Sequence, residues 1–184
     1  MSKKRKRTTN KRVIDSVNEF LVSFIVAIFA FLFVSYFIQI GQVNGSSMYS
    51  TYTDGDRVLM YKQDDIFDDR DIVAFVYTQD QSDFYDKLMN DNGISEGLNV
   101  SEVGINHIKR IVGLPGDEVL IKDGKLYINE QLISQTALEI PNQAYTIRRN
   151  KYFVVGDNIN NSFDSRHHGP VDFDDIFGNV ITNK

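Results

Sequence analysis

The chain has 184 residues, 42% of them hydrophobic and 24% charged, which suits one domain with an appended segment and excludes wholesale disorder. The absence of cysteine excludes disulfide frameworks, cysteine-ligated zinc and a thiol nucleophile. The net charge of −5 is uneven: residues 3–12 hold seven basic side chains and no acid, whereas residues 41–184 hold 13 basic and 23 acidic side chains. That acidic portion is not typical of nucleic-acid binding, so no nucleic-acid partner is expected.

The first predicted element is an apolar helix over residues 20–40. Only Ser23, Ser35, Tyr36 and Gln39 interrupt this run. A helix of this length would span ~32 Å, close to the ~30 Å hydrocarbon core of a membrane. Two alternatives are a buried core helix and a cleaved secretory signal, but the run is longer than the apolar part of a signal and has no A-x-A site near its end. We therefore expect an uncleaved transmembrane anchor at 20–40, with residues 1–19 in the cytoplasm and residues 41–184 outside it.

After Gly41 the pattern predicts a mostly β domain built from antiparallel hairpins. Short runs rich in Val, Ile, Phe and Tyr alternate with turn signals and suit half-buried strands. These runs are Val58–Tyr61, Ile72–Tyr77, Ile105–Val112, Glu118–Ile121, Lys125–Ile128, Tyr152–Val155 and Asp175–Ile181. Asp123-Gly124 lies between two of them and predicts a two-residue hairpin turn.

Residues 78–104 differ from the rest of the predicted domain. They hold six acids, one Lys and three Gly, with scattered apolar residues. No helical periodicity longer than about ten residues is evident outside the anchor. We expect a long acidic loop or an exposed hairpin here, because a structureless connection of this length is unusual in a compact domain.

Few residues offer a histidine-based or metal-based site. The only histidines are His107, His167 and His168. No H-x-x-x-H or H-E-x-x-H spacing occurs, and adjacent histidines on an extended chain would point to opposite faces, so no metal site is expected. Ser-His-Asp catalysis would need one of these histidines, but no G-x-S-x-G motif accompanies a serine.

A serine served by a lysine fits the sequence better. Ser46 and Ser47 follow Asn44-Gly45 shortly after the apolar run, where a turn could expose a hydroxyl. Lys109 lies between Ile108 and Ile111-Val112 in a predicted strand. If Lys109 points into the core, burial disfavours its ammonium form, and the neutral amine can act as a general base. The alternating pattern equally allows Lys109 to lie on the solvent face of the strand, so both interpretations stay open at this point.

Four segments, in this order behind the apolar run, resemble the motifs of bacterial type I signal peptidases, especially the small single-anchor forms of Gram-positive bacteria. They are Val43-Asn44-Gly45-Ser46-Ser47-Met48-Tyr49-Ser50-Thr51, Gly55-Asp56-Arg57-Val58-Leu59, Lys109-Arg110-Ile111-Val112-Gly113-Leu114-Pro115-Gly116-Asp117, and Gly156-Asp157-Asn158 with Asn161-Ser162-Phe163-Asp164-Ser165-Arg166. The resemblance covers the chain except residues 78–104. Ser50 departs from the usual Pro, Tyr52 from the frequent Leu, and Ile159 from the common Arg.

The resemblance implies a role for seven residues. Ser47 would be the nucleophile and Lys109 the general base. Ser162 would hydrogen-bond the lysine nitrogen, and Asp164 and Arg166 would pair to support the site. Met48 and Ile108 would help to line a shallow apolar pocket for small side chains.

By this resemblance, the chain is expected to be a membrane-anchored serine endopeptidase that needs no cofactor. It would remove signal peptides from exported preproteins after small residues at A-x-A-like sites, next to the lipid bilayer. The family's fold would be a mostly β antiparallel domain behind one transmembrane α-helix. The alternative is a non-catalytic or dedicated paralogue that acts in surface or pilus assembly.

Overall fold

The computed structural model describes residues 2–62, 66–92, 104 and 106–181, with side chains from residue 16 onward. It contains two compact units, residues 1–38 and 39–184. The first unit consists mainly of α1 (Ser2–Phe37). Within α1, Ser16–Phe37 is long and apolar enough to cross a membrane. The predicted end at residue 40 is wrong, because residues 38–40 belong to the first strand of a sheet.

The second unit is mostly β, as predicted. Its strands and helices are β1 (Ile38–Gln42), β2 (Arg57–Tyr61), β3 (Ile72–Val76), α2 (Gln79–Asp91), β4 (Asn106–Gly113), β5 (Glu118–Lys122), β6 (Lys125–Ile128), β7 (Gln131–Gln135), β8 (Gln143–Thr146), β9 (Lys151–Val155), α3 (Ser165–His168), β10 (Val171–Asp172) and β11 (Ile176–Ile181), with a 3₁₀ turn at Phe173–Asp175.

These strands form two sheets. The seven-stranded sheet has the order β1-β2-β11-β3-β4-β9-β10, and the four-stranded sheet has the order β7-β6-β5-β8. Neighbours from β2 to β10 and all pairs of the smaller sheet are antiparallel. The hairpin at Asp123-Gly124 is confirmed: Lys122 pairs with Lys125, and both turn residues have positive φ.

The two faces of the seven-stranded sheet bury different clusters. Side chains alternate along a strand, so Ile72 and Ala74 of β3 pack on one face with Val43 and Met48. Val73 and Phe75 pack on the other face, in a cluster that includes Ile111. Strand β4 lies between β3 and β9, inside the sheet, so residues on either of its faces can be buried.

The expectation of a loop or hairpin over 78–104 is wrong for residues 79–91, which form α2. The helix begins after Thr78, whose backbone N–H donates to the Gln81 side chain at 2.8 Å, as in a capping box. Its buried face includes Gln81, Ser82 and Tyr85. The rest of the predicted loop, residues 93–103, lies outside the described residues.

Candidate active site

Ser47 and Lys109 meet at the centre of the site. Ser47 is half-buried in the turn that follows β1, and Lys109 lies in the middle of β4. The Lys109 Nζ donates a hydrogen bond to the Ser47 Oγ at 2.8 Å. The lysine side chain is only 3% exposed, so the interpretation that placed Lys109 on a solvent face is wrong.

The loop after β9 holds the serine segment in place. The Asn158 backbone N–H donates to the Ser47 carbonyl at 2.9 Å, and the Asn158 side chain donates to the Ser46 carbonyl at 3.0 Å. The Asn161 side chain donates to the Ser46 hydroxyl at 2.8 Å. These bonds fix the backbone on both sides of the Ser46–Ser47 peptide, which orients the Ser47 hydroxyl.

Gly156 allows this close approach. A Cβ at position 156 would lie 2.2 Å from the Ser162 Oγ and 2.5 Å from the Ser47 carbonyl oxygen, too close for any real side chain. The glycine therefore lets the backbone after β9 contact both the Ser47 segment and Ser162.

Ser162 lies next to this contact, but its hydroxyl does not make the expected bond. The side chain is 6% exposed, and its Oγ has no hydrogen-bond partner in the part of the chain that the structure describes. The expected hydrogen bond to Lys109 is therefore not formed in this structure. The orienting role of Ser162 remains a prediction.

Asp164 and Arg166 form a buried ion pair. The Arg166 Nε and Nη2 donate to the two Asp164 carboxylate oxygens at 2.7 and 2.8 Å, and both side chains are buried. Burial opposes ionisation of Asp164, but the hydrogen bonds and positive charge of Arg166 outweigh it and lower the pKa of the carboxyl. Asp164 also accepts from the Gly156 backbone N–H, which ties the ion pair to the loop that holds Ser47.

A second ion pair, Arg110 with Asp157, was not assigned a role from the sequence. The Arg110 Nε and Nη2 donate to the Asp157 carboxylate at 2.8 and 2.7 Å, and the Thr51 hydroxyl also bonds to Asp157. The pair therefore links β4, the loop after β9 and the turn that carries Ser47. The sequence motifs pointed to this pair, because Arg110 follows Lys109 and Asp157 follows Gly156 within them.

Met48 and Ile108 lie together on the other face of β4. Met48 is 1% exposed in the core, and the partly buried Ile108 packs against the same cluster. Both therefore contribute to one apolar cluster. The pocket itself stays a prediction.

The three histidines lie near this site, but their ionisation is suppressed. Burial, and to a smaller extent the charge of Lys109, lowers the pKa of His107 to about 4. Burial lowers the pKa of His168 to about 3, and it also lowers the pKa of His167. Among the described residues, no group of three or more His, Asp or Glu side chains is placed to hold a metal ion.

Comparison with known proteins decides the family. The family model described as "Signal peptidase, peptidase S26" matches residues 16–183. The chain belongs to the signal peptidase family. A signal peptidase I of Bacillus licheniformis is 31% identical over 88% of this chain and 83% of its own length. A signal peptidase I of Bacillus amyloliquefaciens is 30% identical over 90% of this chain and 84% of its own length.

A solved structure is also similar. The crystal structure of a signal peptidase I from Enterococcus faecalis V583 is 25% identical, with a TM-score of 0.42, and the match covers 65% of this chain and all of that one.

The relatives show that the chain is a type I signal peptidase, a serine peptidase that removes signal peptides. The substrates of such enzymes are exported preproteins. The apolar N-terminal helix is compatible with membrane anchoring of such an enzyme.

Proposed function

We propose that this signal peptidase uses Ser47 as nucleophile and Lys109 as general base. The observation that carries the proposal is the 2.8 Å contact between the Lys109 Nζ and the Ser47 Oγ, with the amine buried. Over the same distance, the neutral amine can accept the proton of the hydroxyl.

The reaction is acyl transfer to Ser47. As Lys109 takes the hydroxyl proton, the Ser47 Oγ forms a bond to the carbonyl carbon before the cut. Lys109 then gives that proton to the departing amine as the peptide C–N bond breaks. A water molecule, deprotonated by Lys109, attacks the acyl-enzyme and releases the signal peptide with a new carboxylate, and the proton returns to the Ser47 oxygen.

The backbone N–H of Ser47 is a candidate donor to the oxyanion. Within the described residues this N–H makes no hydrogen bond, so it is available to the developing negative charge. Gly45 offers no side-chain hydroxyl two positions before the nucleophile, which leaves the oxyanion to backbone donors.

Selection for small residues before the cut would follow from a shallow pocket at Ile108 and Met48. Met48 is buried in the core and the partly buried Ile108 packs against the same cluster, so these two side chains would form an apolar floor that admits small groups. This favours A-x-A-like cleavage sites.

The N-terminal helix would cross the membrane once, with the basic residues 3–12 in the cytoplasm and the catalytic unit outside. Substrates and enzyme would then meet at the same bilayer surface, which raises their effective concentration. Protease added to intact, wall-stripped cells should digest residues 41–184. A unit that stays protected until lysis would contradict this orientation.

Cleavage of a purified secretory precursor by the full chain tests the dyad. Ser47→Ala and Lys109→Ala should each lower kcat/KM by more than about 10³-fold, because the two residues act as a unit. Ser162→Ala should have a smaller effect. The controls Ser50→Ala and Lys122→Ala remove an exposed serine and an exposed lysine and should retain activity.

Full activity of Lys109→Ala would contradict the dyad. A wild-type protein that cuts no precursor would indicate a non-catalytic paralogue, and one that cuts a single partner would indicate a dedicated enzyme for surface or pilus assembly.

A further inference from the structure

An open groove lies between α2 and the loop that carries Ser162. One wall is formed by Tyr85, Leu88 and Met89 of α2, and the rest of the lining by residues 138, 139, 141, 160–163 and 167. The volume of this α2 groove is about 530 Å³. Leu88 and Met89 are only partly buried, so apolar surface in the groove faces solvent.

The α2 groove adjoins the Ser47 site through Asn161 and Ser162. Asn161 lines the groove and also donates to the Ser46 hydroxyl, next to the nucleophile. Ser162 lines it too, and its buried hydroxyl has no hydrogen-bond partner among the described residues. This hydroxyl points toward Gly156 and the Ser47 segment, so Ser162 marks the place where the groove adjoins the catalytic residues.

The groove lies on the opposite face of the sheet from the expected small-residue pocket. Lys109 pairs with Val73 across β3 and β4, and Val73 packs on the face opposite Ile108 and Met48. Tyr77 follows Val73 and Phe75 on that same face, and its ring contacts Phe163 of the groove at 5.7 Å. A polypeptide passing over Ser47 therefore meets Ile108 on one side and the α2 groove on the other.

The size and charge of the groove indicate what it holds. The methyl group of an alanine would leave most of this groove empty and most of its Leu, Met and Tyr surface uncovered. The exposed Glu139 lines the groove and none of the described lining residues is a Lys or Arg, so the charge of the lining favours a basic side chain.

We propose that the α2 groove binds the first residues of the mature chain, immediately after the scissile bond, and favours a bulky apolar side chain flanked by a basic one. This inference rests on the proposed function, because it takes the signal-peptide side of the cut to occupy the Ile108 pocket. The α2 helix, inserted between β3 and β4, is then a specificity element for the mature side of the substrate.

The experiment compares purified precursors with one signal peptide and identical residues up to the cut. The first carries Leu, Phe and Lys among the four residues after the cut, the second carries only Ser and Gly, and the third replaces the Lys of the first with Glu. The full-length wild type should cleave the first about tenfold faster than the second in kcat/KM, as expected when an apolar side chain fills a pocket. The third should be about threefold slower than the first, as for a partly exposed charge interaction.

Leu88→Ala should remove most of the preference for the first precursor over the second, since alanine keeps the helix but shortens the groove wall. Leu132→Ala, on exposed strand β7, is the matched control and should leave the preference unchanged. The comparison of precursors with the wild type needs no variant and stands if Leu88→Ala fails to fold.

Equal cleavage of the first two precursors by the wild type would overturn the inference and leave the proposed function intact. A preference that Leu88→Ala leaves unchanged would also overturn it. Cleavage of none of the precursors would overturn the proposed function and, with it, this inference.

Discussion

Among the described residues, one lysine and one arginine are buried, and they differ in what they bond to. Arg166 is 1% exposed and donates two hydrogen bonds to the Asp164 carboxylate. Lys109 is 3% exposed and donates to the Ser47 hydroxyl. Arginine keeps its proton in proteins, whereas a buried lysine can release one. Arg166 therefore forms a permanent ion pair that holds the loop after β9, whereas the Lys109 amine can change its charge during catalysis.

Replacing Arg166 and Lys109 each by methionine tests this difference. Of the variants described here, Arg166→Met should have the largest effect on stability. It leaves the Asp164 carboxylate buried without its counter-charge, which should cost about 3–5 kcal/mol of the free energy of unfolding. Lys109→Met leaves the neutral Ser47 hydroxyl at the edge of the site and should cost at most about 1–2 kcal/mol. Urea unfolding followed by circular dichroism measures both.

The difference between the two variants is the control within this experiment. Equal losses of stability would mean that Lys109 carries a structural charge like that of Arg166. A Lys109→Met variant that folds but has no activity would instead show that the Lys109 amine acts in catalysis.

Asp157→Asn removes one charge from a partly exposed ion pair. It tests whether the loss of stability depends on burial of the pair or only on the pairing itself. The Arg110–Asp157 pair has the same two-bond geometry as Arg166–Asp164 but is partly exposed. Water can replace part of the hydrogen bonding that Arg110 loses. The free energy of unfolding at neutral pH should therefore fall by about 1–2 kcal/mol. The exposed pair Arg70–Asp69 supplies the control, and Asp69→Asn should change stability by less than about 0.5 kcal/mol.

The pH dependence of this effect has a definite sign. Burial opposes ionisation of Asp157, but the hydrogen bonds from Arg110 and Thr51 and the charge of Arg110 outweigh it and lower its pKa. A carboxyl with a lowered pKa stabilises the fold above its unfolded value of ~3.9, and this contribution is lost as the pH falls. The difference between wild type and Asp157→Asn should therefore shrink below pH ~4. A difference that grows in acid would contradict the ion pair as its source.

Local patterns in the sequence predicted much of the fold. Seven runs of β-type residues correspond to β2, β3, β4, β5, β6, β9 and β11. The short strands β1, β7, β8 and β10 were missed, since they depend on neighbours in the sheet more than on their own residues. The helix α2 was also missed, although Thr78 and Gln81 form a capping pattern and residues 84, 85, 88 and 89 have helical spacing. Its four Asp residues and the glycines that follow it are typical of an exposed loop, which is why the sequence predicted one.

The site was predictable only through its motifs. The strand pattern allowed Lys109 to face either core or solvent, because β4 carries apolar residues on both faces: Ile108 on one and Ile111 on the other. The close approach of Gly156 to Ser47 and the Arg110–Asp157 pair join segments more than 40 residues apart in the chain. Spacing within a single strand or turn carries no information about such contacts.

The central claim is that Lys109, and not a histidine, takes the proton from Ser47, and the pH dependence of kcat/KM on a signal-peptide substrate tests it most directly. This quantity reports the free enzyme, where catalysis needs a neutral base. The pKa values of His107 and His168 are lowered to about 4 and about 3, so a base among them would give a limb far on the acid side. An ordinary lysine titrates near ~10.4 and burial disfavours its charged form, so activity should rise through a limb centred well above 7.5 and stay high in alkali. A limb at pH 6.5 or below that disappears in His107→Gln or His168→Gln would contradict the account.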